Sequence, residues 1–154
     1  MDLFSVITPT GDRPEAFELC CQYVSRQSIT PTEWIILDDG KVGMKPPSLP
    51  YVKYVRRERD WKDQRHTLPM QMIEAFKHVT TRYVIIMEDD DWYCKDYFAN
   101  VMSLFDLPSK PSLVGQGQTV YYNIPQRRYF IHSNYEHASW CQTSFRISLI
   151  PFVT

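Results

Sequence analysis

Four carboxylates stand in a row at Glu88-Asp89-Asp90-Asp91, with Trp92 next. They follow directly on the apolar run Tyr83-Val84-Ile85-Ile86-Met87, which reads as a strand buried on both faces. Like charges held this close repel one another, and partial burial adds a desolvation cost. A hard divalent cation removes both costs, because Mg²⁺, Mn²⁺ and Ca²⁺ take oxygen ligands. A Mg²⁺-like ion uses one or two carboxylates and fills its shell with water and substrate phosphates. The cluster therefore points to a metal–diphosphate site. The plainer alternative is an exposed acidic turn at the positive end of the next helix.

Two other apolar runs also end in polar residues. Leu3-Phe4-Ser5-Val6-Ile7-Thr8 leads into Pro9-Thr10-Gly11-Asp12-Arg13, and Trp34-Ile35-Ile36-Leu37 leads into Asp38-Asp39-Gly40. In open α/β sheets, ligands bind beyond the carboxyl ends of the strands. If the three runs are parallel neighbours, their polar ends share one edge. Asp-Gly is also an ordinary turn signal; its functional reading is a carboxylate accepting hydrogen bonds from a base or a ribose hydroxyl. Between Lys53 and His66 lie six basic residues, of which Arg65 stands just before a helix. A guanidinium fork matches phosphate oxygens, so Arg65 is the candidate for a diphosphate contact. Glu136 and His137 stand in a polar, aromatic connection and are candidates for a general base or proton-handling group.

Alternating elements would position these residues. The first strand is expected to stop at Pro9, and a helix to start at Asp12-Arg13-Pro14, with Asp12 as N-cap and Pro14 in the first turn. Phe17, Cys20/Cys21 and Val24 follow helical spacing. Lys41 to Pro50 is irregular and Pro-rich, and Tyr51 to Val55 is a short strand. Leu68, Met72, Ala75/Phe76 and Val79 mark a second helix, with Thr67 as a possible cap and Pro69 in its first turn; Phe98, Val101/Met102 and Phe105 mark a third. Strand–helix alternation indicates an α/β fold with a mostly parallel sheet flanked by helices. After Pro111, Leu113 to Tyr122 and Arg127 to His132 read as a β-hairpin around Asn123-Ile124-Pro125-Gln126, and Trp140 to Ile150 leans to helix.

Composition narrows the class further. The 154 residues suit one domain. Seventeen basic and 18 acidic residues leave a net charge of −1, which argues against a generic polyanion binder. Hydrophobic residues at 44% exclude a disordered or collagen-like chain. No run of apolar residues is long enough to span a bilayer, no amphipathic anchor is evident, and the first ten residues lack a basic n-region. Cys20, Cys21, Cys94 and Cys141 have neither metal-knuckle nor disulfide-framework spacing. They read as reduced thiols of a cytoplasmic protein.

The ordered set of motifs resembles glycosyltransferase family 2, of the GT-A fold. Phe4 to Thr10 with Arg13-Pro14 is similar to that family's opening strand, and Glu33 to Gly40 to its second strand with the terminal acidic pair. Tyr83 to Trp92 is similar to its D-x-D region, here with Glu first. The resemblance covers roughly residues 3 to 105. It implies that Thr8, Pro9, Thr10 and Arg13 line a nucleotide pocket and that Asp38, with Asp39 beside it, contacts the base. Glu88, with Asp89 next to it, would sit near the ribose and the metal, and Asp90 would bind the cation (Mn²⁺ or Mg²⁺) that bridges the donor diphosphate. It implies a nucleotide-sugar donor, often UDP-linked, and inversion at the anomeric carbon. Residues 1–106 would form the donor half of one domain and residues 107–154 part of an acceptor half.

Two departures stand out. The family's general base is an acid in a later E-D type motif, and here only Glu136 follows Asp106 as an acid. The Gly- and Asn-bearing stretch before the second helix is replaced by His66-Thr67-Leu68-Pro69-Met70-Gln71. The alternative is a catalytically incomplete domain of this fold that binds nucleotide-sugar or a partner. A sugar nucleotidyltransferase is disfavoured, because Thr8-Pro9-Thr10-Gly11-Asp12 lacks a Gly-rich, Arg- and Lys-bearing loop. The acceptor, whether glycan, lipid-linked, protein or nucleic acid, is not legible in the residues.

Overall fold

The computed structural model describes residues 3–63 and 65–152. Four strands and three helices alternate through the first two-thirds of the chain: β1 (Phe4–Thr10), α1 (Pro14–Ser25), β2 (Glu33–Asp38), β3 (Val52–Arg56), α2 (Leu68–Phe76), β4 (Tyr83–Ile86) and α3 (Tyr97–Phe105). Then come β5 (Leu113–Gly115), β6 (Gln118–Asn123), β7 (Arg128–Ser133) and β8 (Thr143–Arg146). Six strands form one sheet in the order β3-β2-β1-β4-β8-β5; β6 and β7 form a separate two-stranded ribbon. β1 to β4 are mutually parallel, and β8 runs antiparallel to both β4 and β5. This is the expected mostly parallel sheet flanked by helices, with an antiparallel hairpin.

Both sheet faces are covered, which is why the central strands are apolar on both sides. Phe4, Val6, Trp34, Ile36 and Ile85 pack on one face against Phe17, Cys20 and Val24 of α1 and Phe98, Val101 and Phe105 of α3. Ile7, Ile35, Leu37, Val84 and Ile86 pack on the other against Met72, Ala75 and Phe76 of α2 and against Phe145 of β8. Period-2 alternation divides each strand between the two layers.

Several local expectations are corrected. β1 continues through Pro9 to Thr10, because Thr10 is in register with Asp38 of the neighbouring strand. Asp12 is not the cap of α1: Arg13 holds that position, while Asp12 adopts φ 53° and its carboxylate accepts from the Lys41 N–H at 2.7 Å. A short polar side chain tolerates that left-handed geometry. Thr67 does occupy the N-cap of α2, but without a side-chain cap bond. Trp140 to Ile150 is not a continuous helix. Trp140–Gln142 is one 3-10 turn, Thr143–Arg146 is β8, and Ile147–Phe152 is a second 3-10 segment. The strand forms because the far edge of β4 has free backbone groups that Ser144 and Phe145 pair with. No disulfide forms; all four cysteines are free. Among the described residues no helix is long and apolar enough to cross a membrane.

Candidate functional site

The carboxyl ends of β1, β2 and β4 meet at one edge of the sheet. Asp39 N–H donates to the Thr10 carbonyl at 3.2 Å, and Met87 N–H donates to the Ile7 carbonyl at 2.9 Å. The Thr10 hydroxyl donates to Asp89 at 2.6 Å and so ties β1 to the acidic loop after β4. The Gln71 side-chain amide of α2 donates to the Thr10 carbonyl at 2.9 Å. The loops after β1 and β2 lie back to back: a Cβ on Gly40 would come 2.5 Å from the Asp12 nitrogen, and one on Gly11 would come 2.9 Å from an Asp39 carboxylate oxygen. Both glycines are therefore required by close approach of the two backbones.

A cavity of about 290 Å³ opens at this edge. Pro9, Thr10, Arg13, Asp39, Arg65 and Glu88 line it, so residues up to 79 positions apart come together. Arg59, His66 and Gln71 also line it and had not been singled out. Arg59 stood among six basic residues whose spacing carries no face information. Gln71 sits on the inner side of α2, one residue before buried Met72, and only its depth marks it.

The acidic pair after β2 divides. Asp38 is fully buried, and all four of its acceptor positions are used. Gly40 N–H at 2.8 Å and Arg56 at 2.8 Å reach one oxygen; Met44 N–H at 2.7 Å and the Tyr54 hydroxyl at 2.6 Å reach the other. Burial alone would push this carboxyl up, but the hydrogen bonds and the guanidinium outweigh it and hold the group below the usual carboxylate range. Asp39 is the one that lines the cavity. Its Oδ1 accepts from Arg59 at 3.0 Å, whereas its Oδ2 is buried with no hydrogen-bond donor and only Arg57 nearby, at 3.6 Å. Thr8 is also buried and accepts from the Trp34 indole N–H at 2.9 Å, away from the cavity lining.

The cluster after β4 is the opposite case. Asp89 is buried and paired with Arg13 at 2.6 Å, and Arg13 also donates to Asp90 at 2.6 Å. Oxygens of Glu88, Asp90 and Asp91 lie within 4.8 Å of one another. Burial, followed by the charges of Asp91 and Asp90, pushes the Glu88 carboxyl up to about 7. Burial likewise raises Asp89, against the pull of Thr10 and Arg13. Three oxygen donors whose like-charge repulsion only Arg13 partly relieves fit a hard divalent cation. Asp91, not singled out from the sequence, joins Glu88 and Asp90 in that set. The last part of the chain also reaches this loop: burial, then the influence of the Asp91 carboxylate, raises the Cys141 thiol to about 12.

Glu136 and His137 are placed elsewhere. They are exposed and line a second cavity of about 720 Å³ together with Leu113, Gly117, Trp140 and Phe145. That cavity shares no lining residue with the first. Asn134 organises their turn, accepting from the Glu136 and His137 N–H groups at 3.0 and 3.2 Å.

The family model for Glycosyl transferase family 2 matches residues 5–151. No curated protein sequence matches the chain. Among solved structures, S. aureus TarS 1-349 superposes with TM-score 0.66 at 15% identity, covering 97% of this chain and 48% of that one. The mannosyltransferase PcManGT from Pyrobaculum calidifontis, solved with GDP-Man and Mn²⁺, gives TM-score 0.66 at 14% identity, covering 99% and 46%. TarS 1-349 has also been solved with UDP-GlcNAc, and that structure gives TM-score 0.64 at 14% identity. These likenesses establish the GT-A fold, and the chain spans about half the length of the structures it resembles.

Proposed function

Because the chain belongs to glycosyl transferase family 2, we propose that it transfers a sugar from a nucleotide-sugar donor, with UDP-sugar the first choice, and inverts the anomeric centre. The single observation that carries this reading is the convergence of three strand ends on one cavity that Glu88 of the carboxylate cluster lines. We assign the first 106 residues to donor binding and residues 107–154 to part of an acceptor half.

The roles follow from the chemistry of each group. Asp39 lines the cavity, and its carboxylate would accept from a base N–H or ribose hydroxyl in place of the Arg59 or Arg57 guanidinium beside it. Asp38 shapes the loop that presents Asp39, since its own acceptors are taken. Thr10 and Gln71 hold the end of β1 in place. Arg13, Arg59 and Arg65 bring guanidinium donors to phosphate oxygens in a partly enclosed space, where charge-assisted bonds are strong. Glu88 and Asp90, joined by Asp91, would hold Mn²⁺ or Mg²⁺. When bound, that ion stabilises the negative charge that develops on the departing diphosphate.

A second reading is a domain that binds nucleotide-sugar without turnover. The separation of Glu136 and His137 from the donor cavity favours it, because a base must lie within hydrogen-bond reach of the proton it takes. Calorimetric titration of UDP and GDP, with and without Mn²⁺, tests the donor site. Tighter UDP binding in Mn²⁺, lost in Asp90→Ala, supports it; binding of neither nucleotide under either condition sinks it. Donor hydrolysis or transfer assays then separate the two readings.

A further inference from the structure

The donor cavity is lined by groups of two kinds. Arg13, Arg59 and Arg65 bring guanidinium donors, and Asp39, Glu88 and Gln71 bring oxygen acceptors. Phosphate oxygens are themselves acceptors, so a diphosphate is held by the first kind and not by the second. Acceptors call for a cation or for O–H and N–H groups on the ligand. Glu88 belongs to the carboxylate cluster, and Asp39 carries a charge paired with Arg59. Gln71 is neutral, so it has no hold on a cation comparable to theirs and suits an uncharged donor.

The Thr10 carbonyl fixes which way the Gln71 amide points. Gln71 is only 6% exposed, and its NH₂ group donates to that carbonyl at 2.9 Å. A carbonyl has no proton to give, so the amide nitrogen must face Thr10 and the amide oxygen is turned away from it. Among the described residues no donor reaches this oxygen, and it is not sealed from solvent. On a residue that lines the cavity, an oriented amide with an open oxygen presents that oxygen to what enters. The same carbonyl places Gln71 along the cavity. It also accepts from the Asp39 backbone N–H at 3.2 Å, so Gln71 and Asp39 are neighbours across one atom. The Thr10 hydroxyl is engaged by Asp89, which pairs with Arg13. Thr10 thus links two groups, Arg13 with the carboxylate loop and Gln71 with Asp39.

We infer, on the nucleotide-sugar reading of this cavity, that the Gln71 amide oxygen accepts a hydrogen bond from the nucleoside part of the donor, an O–H of the ribose or an N–H of the base. Gln71 then sets specificity beside Asp39 as well as holding the end of β1. A bound analogue that lacks the proton covers the amide oxygen without satisfying it, and a site built to bond a hydroxyl or N–H rejects analogues in this way.

Calorimetric titration in Mn²⁺ tests it, on wild type and on Gln71→Met, a side chain of similar length without the amide. The probes are UDP, 2′-deoxy-UDP, 3′-deoxy-UDP and the 3-methyluracil analogue of UDP, or the corresponding guanosine set where GDP binds in place of UDP. Wild type is expected to bind UDP about 10-fold more tightly than one of the analogues, the upper end for a hydrogen bond between uncharged groups. Gln71→Met is expected to lose that preference by weakening on UDP and not on that analogue. A preference against a deoxy analogue assigns the ribose hydroxyl, and one against the methylated base assigns the N–H. A purely structural role gives a different pattern: Gln71→Met then weakens UDP and every analogue by one factor, which overturns the proposal. UDP binding with the analogue preference unaltered in Gln71→Met overturns it as well and leaves the donor reading standing. Binding of neither UDP nor GDP to wild type overturns both. The unfolding midpoint reports whether Gln71→Met folds, and Gln71→Leu is the second removal. Equal binding of UDP and all its analogues by wild type overturns the proposal without either variant.

Discussion

The two acidic strand ends of this sheet have similar sequences and opposite surroundings. After β2, Asp38 receives four donors, and its carboxyl is held below the ordinary range. After β4, burial and the Asp91, Asp90 and Asp89 charges all push Glu88 up, only the Arg13 charge opposes them, and its carboxyl rises to about 7. One acid is spent on architecture, and the other is left wanting a cation. A run of Asp and Glu is thus no guide to role until its donors are counted.

The largest effect expected from breaking this contrast is at Asp38. Asp38→Ala removes the buried acceptor of four donors, two of them from the partly exposed Tyr54 and Arg56, and should cost about 3 kcal/mol, the upper end for hydrogen bonds lost to a charged group; urea unfolding checks it. Gly40→Ala comes next. Its Cβ would meet the Asp12 backbone nitrogen at 2.5 Å, so about 1–3 kcal/mol of strain is expected in the same measurement, together with weaker nucleotide binding. Asp90→Ala should leave the unfolding midpoint near wild type, since Asp90 is exposed, yet lower Mn²⁺ affinity at least about 10-fold, the lower end of what loss of an outer-shell partner costs. Equal affinity in calorimetry would erase the distinction between the two ends.

The smallest effect is a pH dependence at Glu88. Its folded-state carboxyl lies near 7 and its unfolded one near 4.3, so the folded state binds the extra proton between those values. The Glu88 contribution to stability is therefore greatest at acid pH and falls as pH rises through that window. Glu88→Gln removes the fall, so it should exceed wild type above pH 7 by on the order of 1 kcal/mol, after screening at a half-open site, and match it near pH 4. Thermal unfolding across that range distinguishes this from a uniform shift. The sign would reverse if Glu88 were held ionised by a partner as Asp38 is.

Much of this was legible in the sequence because the central strands are buried on both faces. Such strands are continuous apolar runs, and their ends are marked where polar residues begin. The apolar runs Leu3 to Thr8, Trp34 to Leu37 and Tyr83 to Met87 were recognisable for that reason, though the first strand runs on through Pro9 to Thr10, and parallel pairing puts their ends on one edge. The turn of the ribbon was legible too, because Asn123 and Pro125 restrict the backbone. Thr143–Arg146 was not. A short apolar run has no period that separates strand from helix, and the choice depended on the free edge of a strand about 60 residues earlier.

The division of labour between neighbours was equally hidden. Asp38 and Asp39 differ by one position, but a single residue at a strand end decides which side chain turns inward to Tyr54 and Arg56 and which faces the cavity. The exposure of Tyr121 and Phe130 could not be read either, because alternating apolar residues look the same whether or not anything packs on them. By itself the sequence determined the alternating strands and helices of the first two-thirds of the chain and, once those strands are parallel neighbours, the edge their polar ends share, since both follow from local pattern and the rules of parallel sheets. Only the tertiary structure decided which carboxylate is neutralised, that Glu136 and His137 line a different cavity, and that the ribbon stands uncovered. Those outcomes depend on which distant donors and surfaces arrive within a few ångströms, and the linear pattern does not encode such distances.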